Sequence, residues 1–268
     1  MFSVLILTLN EEKNLPGCLA SLAGCDDIVV LDSGSTDQTV PLARAAGARV
    51  HTHRFESFAR QRNHAHETIS FRHPWVFHLD ADERFTPELA TECSSYTDGE
   101  TIDGCWVAPK MLLAGKWIRH STDYPVWQAR FVQWRRFRFV DAGHGQREAP
   151  GMRLGRLRST YLHEVLSDGE AAWLDKHRRY AVAEARAHLN GARARWSDLR
   201  HSDDVTRRRA LKQLSFHLPA RGPLRFCYQY LFRGGFLDGS AGWRYCRLLA
   251  RYERFITQEM RRLRSTTA

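Results

Sequence analysis

Apolar positions in the first eighty residues fall into short unbroken runs, separated by stretches with helical spacing. Residues 3–9 (SVLILTL) are branched and apolar throughout, which predicts a strand buried on both faces. Leu15, Leu19 and Leu22 then recur at helical intervals, and Gly24 follows. Residues 28–31 (IVVL) predict a second strand, and Val40, Ala43 and Ala46 a second helix stopped at Gly47. Residues 48–53 predict a third strand, 58–69 a third helix and 75–79 (WVFHL) a fourth strand. Strands and helices alternating every 20 to 25 residues imply right-handed βαβ units and a mostly parallel sheet.

Ligands of such sheets bind at the carboxyl ends of the strands. Three polar clusters follow strands: residues 8–12, 32–37 and 80–83. They are expected on one rim. Beyond residue 100 the pattern loosens. Residues 105–109 and 130–133 read as strands, 117–127 as an aromatic loop, and 137–148 (FRFVDAGHGQRE) as a Gly-containing loop approaching a ligand. From Gly169 onward the chain reads as helical. Trp173, His177, Tyr180 and Glu184 lie near helical spacing, and further helices are expected at 205–218 and 242–263.

Charge divides the chain in the same place. Residues 1–165 hold 19 lysines and arginines against 20 acids, while residues 166–268 hold 21 against 10. The whole formal charge of +10 therefore comes from the last hundred residues. We expect a catalytic domain over 1–165 and a basic helical region over 166–268 that meets something anionic. No apolar run approaches the roughly 18 residues of a membrane span. The first residues read as a strand, not as a signal peptide. Six cysteines form no CxxC pair, which disfavours a zinc ribbon or dithiol site and suits a reducing, cytoplasmic compartment.

Asp80-Ala81-Asp82 sets two carboxylates just past a strand, a hard-oxygen site suited to a divalent cation. The alternative is an acid-enriched helix N-terminus, since Thr86-Pro87-Glu88 reads as a cap followed by a first turn. Asp32, in VLDSGSTD, reads either as an acceptor for a base N–H or as part of a capped turn. Asn10 reads as a site residue or as a helix cap. Arg62 could meet a phosphate or lie on a solvated helix face. Glu148 is the general-base candidate outside the acidic rim, with Asp123 next.

The segments TLNEEKNLPGCLASL, IVVLDSGSTDQTVPLARAAGARV, QRNHA and WVFHLDADERFTPEL, in this order, resemble the nucleotide-sugar half of family 2 glycosyltransferases with the GT-A fold. The likeness is nearest to the bacterial branch acting on lipopolysaccharide core or exopolysaccharide precursors. It is close over about residues 2–90 and looser through GKWIRHSTDYPVWQARF, GHGQRE and GGFLDGSAGW. The resemblance implies an α/β GT-A domain with Thr8, Asn10 and Glu11 lining a nucleoside pocket and Asp32 reading the base. It sets Arg62 near the donor diphosphate, Asp80 at the ribose or metal, and Asp82 and His163 on Mn2+ or Mg2+. Trp127, Arg130 and His144 fall on the acceptor side. Relatives often carry His-Glu where this chain has Arg147-Glu148.

The implied reaction is an inverting transfer from a nucleoside-diphospho-sugar, with UDP-sugar favoured, to a hydroxyl of a lipid-linked saccharide. Two other classes compete. A sugar-phosphate nucleotidyltransferase would want a Gly-rich loop after the first strand, and none precedes Gly17. A nucleic-acid-binding protein would want a base-reading motif in the basic region, which has none. That region interleaves Arg221, Arg225 and Arg233 with Phe226, Tyr228, Tyr230 and Phe232. This suits an anionic membrane surface, so peripheral attachment to the inner face of the membrane is expected.

Overall fold

The computed structural model describes residues 1–96, 101–142, 145–190, 196–200, 210, 214, 216 and 218–267. The chain divides into two compact units. One holds Met1–Trp117 and Asp123–Ser167, the other Ile118–Thr122 and Asp168–Ala268.

The first unit is built on a seven-stranded mixed sheet. Its parallel half contains β1 (Ser3–Thr8), β2 (Ile28–Asp32), β3 (Arg49–Thr52) and β4 (Trp75–Asp80). Three helices connect them: α1 (Leu15–Ala20), α2 (Thr39–Ala45) and α3 (Phe58–Thr68). After β4 come β5 (Glu83–Arg84), α4 (Pro87–Ser94), β6 (Gly104–Val107), β7 (Pro109–Leu113), β8 (Lys116–Trp117) and β9 (Gln128–Gln133). Then follow β10 (Phe139–Ala142), β11 (Gly145–Glu148), β12 (Leu154–Arg156) and β13 (Tyr161–Glu164). The sheet order is β12-β6-β9-β4-β1-β2-β3, with β9 antiparallel to both its neighbours. A smaller sheet runs β5-β13-β7-β8. The expected Gly-containing loop at 137–148 is instead the hairpin β10-β11, pairing Phe139 with Glu148.

The unbroken apolar runs follow from burial on both faces. Val4, Ile6, Val30, Phe77 and Leu79 pack with Leu15, Cys18 and Ala43 on one side. Leu5, Val29, Leu31 and Val76 pack with Ala65, Ile69 and Phe71 on the other. Each such side chain stabilises the fold by ~1.5–3 kcal/mol on burial. The third helix starts at Ser57, whose hydroxyl accepts from the Arg60 backbone N–H at 3.2 Å.

Asp27, buried at the foot of β2, ties this frame together. It accepts from Ser3 Oγ at 2.5 Å, Arg49 Nη2 at 2.8 Å and the Arg72 backbone N–H at 2.8 Å. Burial alone would raise its carboxyl pKa, but these donors more than offset that and hold it below the usual carboxylate range.

The second unit pairs α5 (Gly169–Asn190) with α7 (Gly239–Thr267) through Ala181, Ala185, Ile256 and Met260. Between them lie, among the described residues, a 3-10 turn (Trp196–Arg200), α6 (Arg221–Cys227), a π turn (Tyr228–Phe232) and a second 3-10 turn (Gly235–Asp238). The helix expected at 205–218 lies mostly outside the described residues. Among those described, no helix is long and apolar enough to cross a membrane.

Asp27→Asn should destabilise the first unit by ~1–3 kcal/mol, since a charged acceptor of several buried donors is lost. The sign of the pH effect follows from the lowered pKa. The stabilisation is present above the unfolded value of about 3.9 and is lost as pH falls through the folded value. Urea melts at stepped pH should show the wild type and the variant converging in acid. A constant gap would refute this role.

Candidate active site

Parallel pairing brings the polar strand ends to one level. Thr8 is in register with Asp32, and Leu7 with Asp80. The loops after β1 and β2 are then laced together. Thr8 Oγ1 donates to Asp32 Oδ2 at 2.8 Å. Asp32 also accepts from the Ser35 hydroxyl at 2.5 Å and from the backbone N–H groups of Gly34 and Ser35 at 2.9 and 2.8 Å. A base N–H arriving at Asp32 must therefore compete with four donors already in place.

Asn10 is not a helix cap. Its backbone is left-handed, with φ 57°, and its Oδ1 accepts from the Thr36 N–H at 2.9 Å across the loops. The first helix is preceded by Asn14, whose Nδ2 donates to Glu11 Oε2 at 2.8 Å. The Glu11 N–H donates to Thr39 Oγ1 at 2.7 Å.

The end of β4 carries the main electrostatic feature. Asp80 Oδ1 accepts from Arg62 Nη2 at 2.8 Å, and Oδ2 from Arg130 Nη2 at 3.0 Å. Arg130 Nη2 also reaches Glu83 Oε1 at 2.8 Å, and Glu83 Oε2 accepts from the Asp80 N–H at 2.8 Å. Arg62 is 2% exposed, so the solvated-face reading of this residue is overturned. Arg130, expected on the acceptor side, turns inward on β9 and lies with its guanidinium 5.3 Å from the Tyr161 ring centroid. Burial acts to raise the Asp80 pKa, yet the two arginines hold it well below the usual range. Glu83 is pushed up to about 7, chiefly by burial, with Arg130 opposing.

Beside this cluster, His163 on β13 lies with Nε2 3.4 Å from Asp82 Oδ2 and Nδ1 3.7 Å from Glu83 Oε1. Burial lowers the His163 pKa, but Asp82 and Glu83 outweigh it and push it up to about 9. If an incoming Mn2+ or Mg2+ displaced the imidazolium proton, the His163 ring and the Asp82 carboxylate at this separation could serve as a donor pair, with water and phosphate oxygens completing the shell. Both Asp80 oxygens accept from guanidinium groups. Among the described residues, no three His, Cys, Asp or Glu side chains form a ready-made metal cluster.

Glu148 stands half-buried on β11, opposite Phe139. Asn63 on α3 fixes that hairpin by a reciprocal pair of 2.9 Å hydrogen bonds with the Phe139 backbone. Trp127 is partly exposed, with the Arg156 guanidinium 5.2 Å from its ring centroid. His144 lies outside the described residues.

Sequence reasoning assigned no role to Glu83, although it stands in the DADE run. It also missed Gln61, whose Nε2 donates to Ser33 Oγ at 3.2 Å and His53 O at 3.0 Å, joining α3 to the second loop.

The family model for glycosyl transferase family 2 matches residues 3–158. The chain belongs to glycosyl transferase family 2. It is 41% identical over 121 residues to the lipopolysaccharide core biosynthesis glycosyltransferase LpsC of Rhizobium meliloti (strain 1021), covering 42% of this chain and 43% of that one. It is 35% identical over 91 residues to an uncharacterized glycosyltransferase of Rickettsia bellii (strain RML369-C), covering 34% and 30%. The chain thus spans less than half the length of these curated relatives. Among solved structures it resembles S. aureus TarS 1-349 in complex with UDP-GlcNAc, at 17% identity and a TM-score of 0.44, covering 99% of this chain and 92% of that one. The mixed, mostly parallel sheet of the first unit is a GT-A arrangement.

Arg130→Met should leave the buried Glu83 without its guanidinium partner and the half-buried Asp80 with Arg62 alone, and cost ~3–5 kcal/mol. Adding Glu83→Gln should recover part of that loss, because one stranded charge is removed with it. Denaturant melts of the single variants and the pair would measure the coupling. Strict additivity would show that the ion cluster does not act as a unit.

Proposed function

We propose that this chain is an inverting, metal-dependent glycosyltransferase. It moves a sugar from a nucleoside-diphospho-sugar, with UDP-sugar favoured, to a hydroxyl on a lipid-linked saccharide of the lipopolysaccharide-core or exopolysaccharide type. The observation that carries this reading is the Asp82–His163 pair beside the Asp80–Arg62–Arg130 cluster, on the rim that also holds Thr8 and Asp32. The similarity to LpsC supports the class of acceptor.

In this reading the laced loops of residues 8–12 and 32–39 shape the nucleoside pocket. Thr8, Asn10 and Glu11 line it, and Asp32 both orders the second loop and meets the base. Arg62, aligned by Asp80, lies towards the diphosphate and favours its negative charge. Asp80 also borders the ribose. Asp82 and His163 hold Mn2+ or Mg2+, which when bound neutralises charge growing on the leaving diphosphate. Glu148 accepts the proton of the acceptor hydroxyl as that oxygen attacks the anomeric carbon from the face opposite the diphosphate. The single displacement inverts that carbon, so no covalent sugar–enzyme intermediate forms. Trp127, Arg130 and His144 complete the acceptor side, Arg130 by holding the strand end and not by touching the sugar. Taking the acceptor from a lipid carrier places the enzyme at the inner face of the membrane.

Two variants separate binding from chemistry. Glu148→Gln should leave UDP affinity near wild type and lower turnover by ~10²–10⁴-fold, the range for loss of a general base. Turnover within a few-fold of wild type would place the base elsewhere, with Asp123 the next to test. Asp82→Ala should abolish the manganese-dependent part of the thermal shift produced by UDP while leaving the melt of the free protein intact. A manganese effect that survives would remove Asp82 from the metal site. A panel of UDP-, GDP- and dTDP-sugars, with and without manganese, tests the donor class itself.

A further inference from the structure

The second unit carries a surface that the catalytic reading does not use. Within residues 224–243 seven large apolar side chains are exposed: Leu224, Tyr228, Leu231, Phe232, Phe236, Leu237 and Trp243. Phe232 is 81% exposed and Leu237 61%, values unusual for such side chains in a segment that is otherwise well ordered by its contacts.

These side chains stand on a rigid support. The segment runs from α6 through the π turn into the 3-10 turn and α7, reversing at Gly234 and Gly239 with φ 76° and 66°. Asp238 is buried and accepts from the backbone N–H groups of His120 and Ser121 at 3.0 and 2.7 Å and from the Ser121 hydroxyl at 2.7 Å. A Cβ on Gly242 would come within 2.1 Å of the Gly235 carbonyl, so α7 crosses the turn with no space between them. The exposed rings are therefore held out by a built turn.

Charge says what meets them. Residues 219–252 contain six arginines and one acid, the buried Asp238; Arg221 pairs with Glu253 and Arg244 and Arg251 pair with Glu170, so the arginines that surround the exposed rings are Arg225, Arg233 and Arg247. Arg225 and Arg247 lie against the exposed rings of Tyr228 and Trp243, with centroid distances of 5.9 and 4.4 Å. Arg233, also exposed, follows Phe232 directly. Apolar tips flanked by arginines, with no exposed carboxylate in the stretch, match a bilayer interface of anionic headgroups.

Arg221 does not belong to this surface, contrary to the sequence-based expectation. It is 9% exposed, its Nε donates to Glu253 at 3.1 Å, and its guanidinium sits 3.7 Å from the Phe216 ring centroid. Phe226 and Tyr230 are also less available than expected, because their rings stack on each other at 5.2 Å.

We propose that the turn bearing Leu231, Phe232, Phe236 and Leu237, with Arg225, Arg233 and Arg247 around it, is a membrane-docking element that inserts its apolar tips into an anionic leaflet. This rests on the second unit alone and stands or falls separately from the catalytic assignment.

The test uses the full chain and vesicles of phosphatidylglycerol and phosphatidylcholine in equal parts, against phosphatidylcholine alone. Wild type should co-sediment with the anionic vesicles and be largely released by high salt. Phe232→Ser with Leu237→Ser should lose most binding even at low salt, because the inserted part is gone. Arg225→Glu, Arg233→Glu and Arg247→Glu together should weaken binding by ~100-fold or more, at about five-fold for each arginine removed. Arg221→Lys should bind as wild type does. Thermal melts and the shift with UDP should be unchanged in the apolar double variant, which separates lost docking from lost folding or donor binding. Wild type that ignores anionic vesicles at low salt would overturn the proposal. So would an apolar double variant that binds normally. A dimer in analytical ultracentrifugation that this variant dissolves, with no vesicle binding by wild type, would assign the surface to a second copy of the chain instead.

Discussion

One carboxylate held between two buried guanidinium groups organises the first unit. Asp80 closes β4, and its two oxygens face Arg62 from α3 and Arg130 from β9. Glu83 adds a second carboxyl group on the other side of Arg130, with burial opposing its ionisation. Opposite charges a few ångströms apart attract by about 4 kcal/mol at an effective dielectric of 20, and each loses several kcal/mol of hydration on burial. The cluster is tolerable because the charges alternate and nearly cancel. Removing Arg130 leaves Glu83 buried without its guanidinium partner, so a helix, two strand ends and the turn after β4 are tied to one another.

That constraint sets what the rim can do. Asp80 is engaged inward, His163 lies beside Asp82, and Arg62 is held where α3 meets the strand ends. The loops after β1 and β2 are fixed separately, by Asp32, Asn10 and Ser35 bonding across them. Gln61 joins the second of these loops to α3, the helix that carries Arg62. The hairpin carrying Glu148 is braced a third way, through Asn63 on the same helix as Arg62.

The second unit obeys a different economy. Its core is a helix pair of small and apolar residues, and its polar contacts anchor a turn through the buried Asp238. Rigid glycine-rich turns present side chains at a defined height. Here the side chains presented are large and apolar, and Arg225, Arg233 and Arg247 stand around them.

Much of this was legible in the chain itself. Buried parallel strands must read as unbroken apolar runs, so residues 3–9, 28–31 and 75–79 could be recognised without a structure. Parallel pairing obliges the clusters after those strands to share a rim, which brought Thr8, Asp32 and Asp80 together in advance. The charge asymmetry was likewise a matter of counting. The direction in which each polar side chain points was not legible, because period and composition do not record pairing partners distant in the chain. Arg62 on a polar helix read as solvated until Asp80, 18 residues on, took it inward. Arg130 read as acceptor-facing until the antiparallel insertion of β9 beside β4 turned it towards Asp80 and Glu83. Arg221 read as lipid-facing until Glu253, 32 residues away, claimed it. The sequence determined which strands are buried and where charge is concentrated, since those depend on local pattern and on sums. Only the tertiary structure decided which arginine meets which acid, since that depends on contacts between residues far apart along the chain.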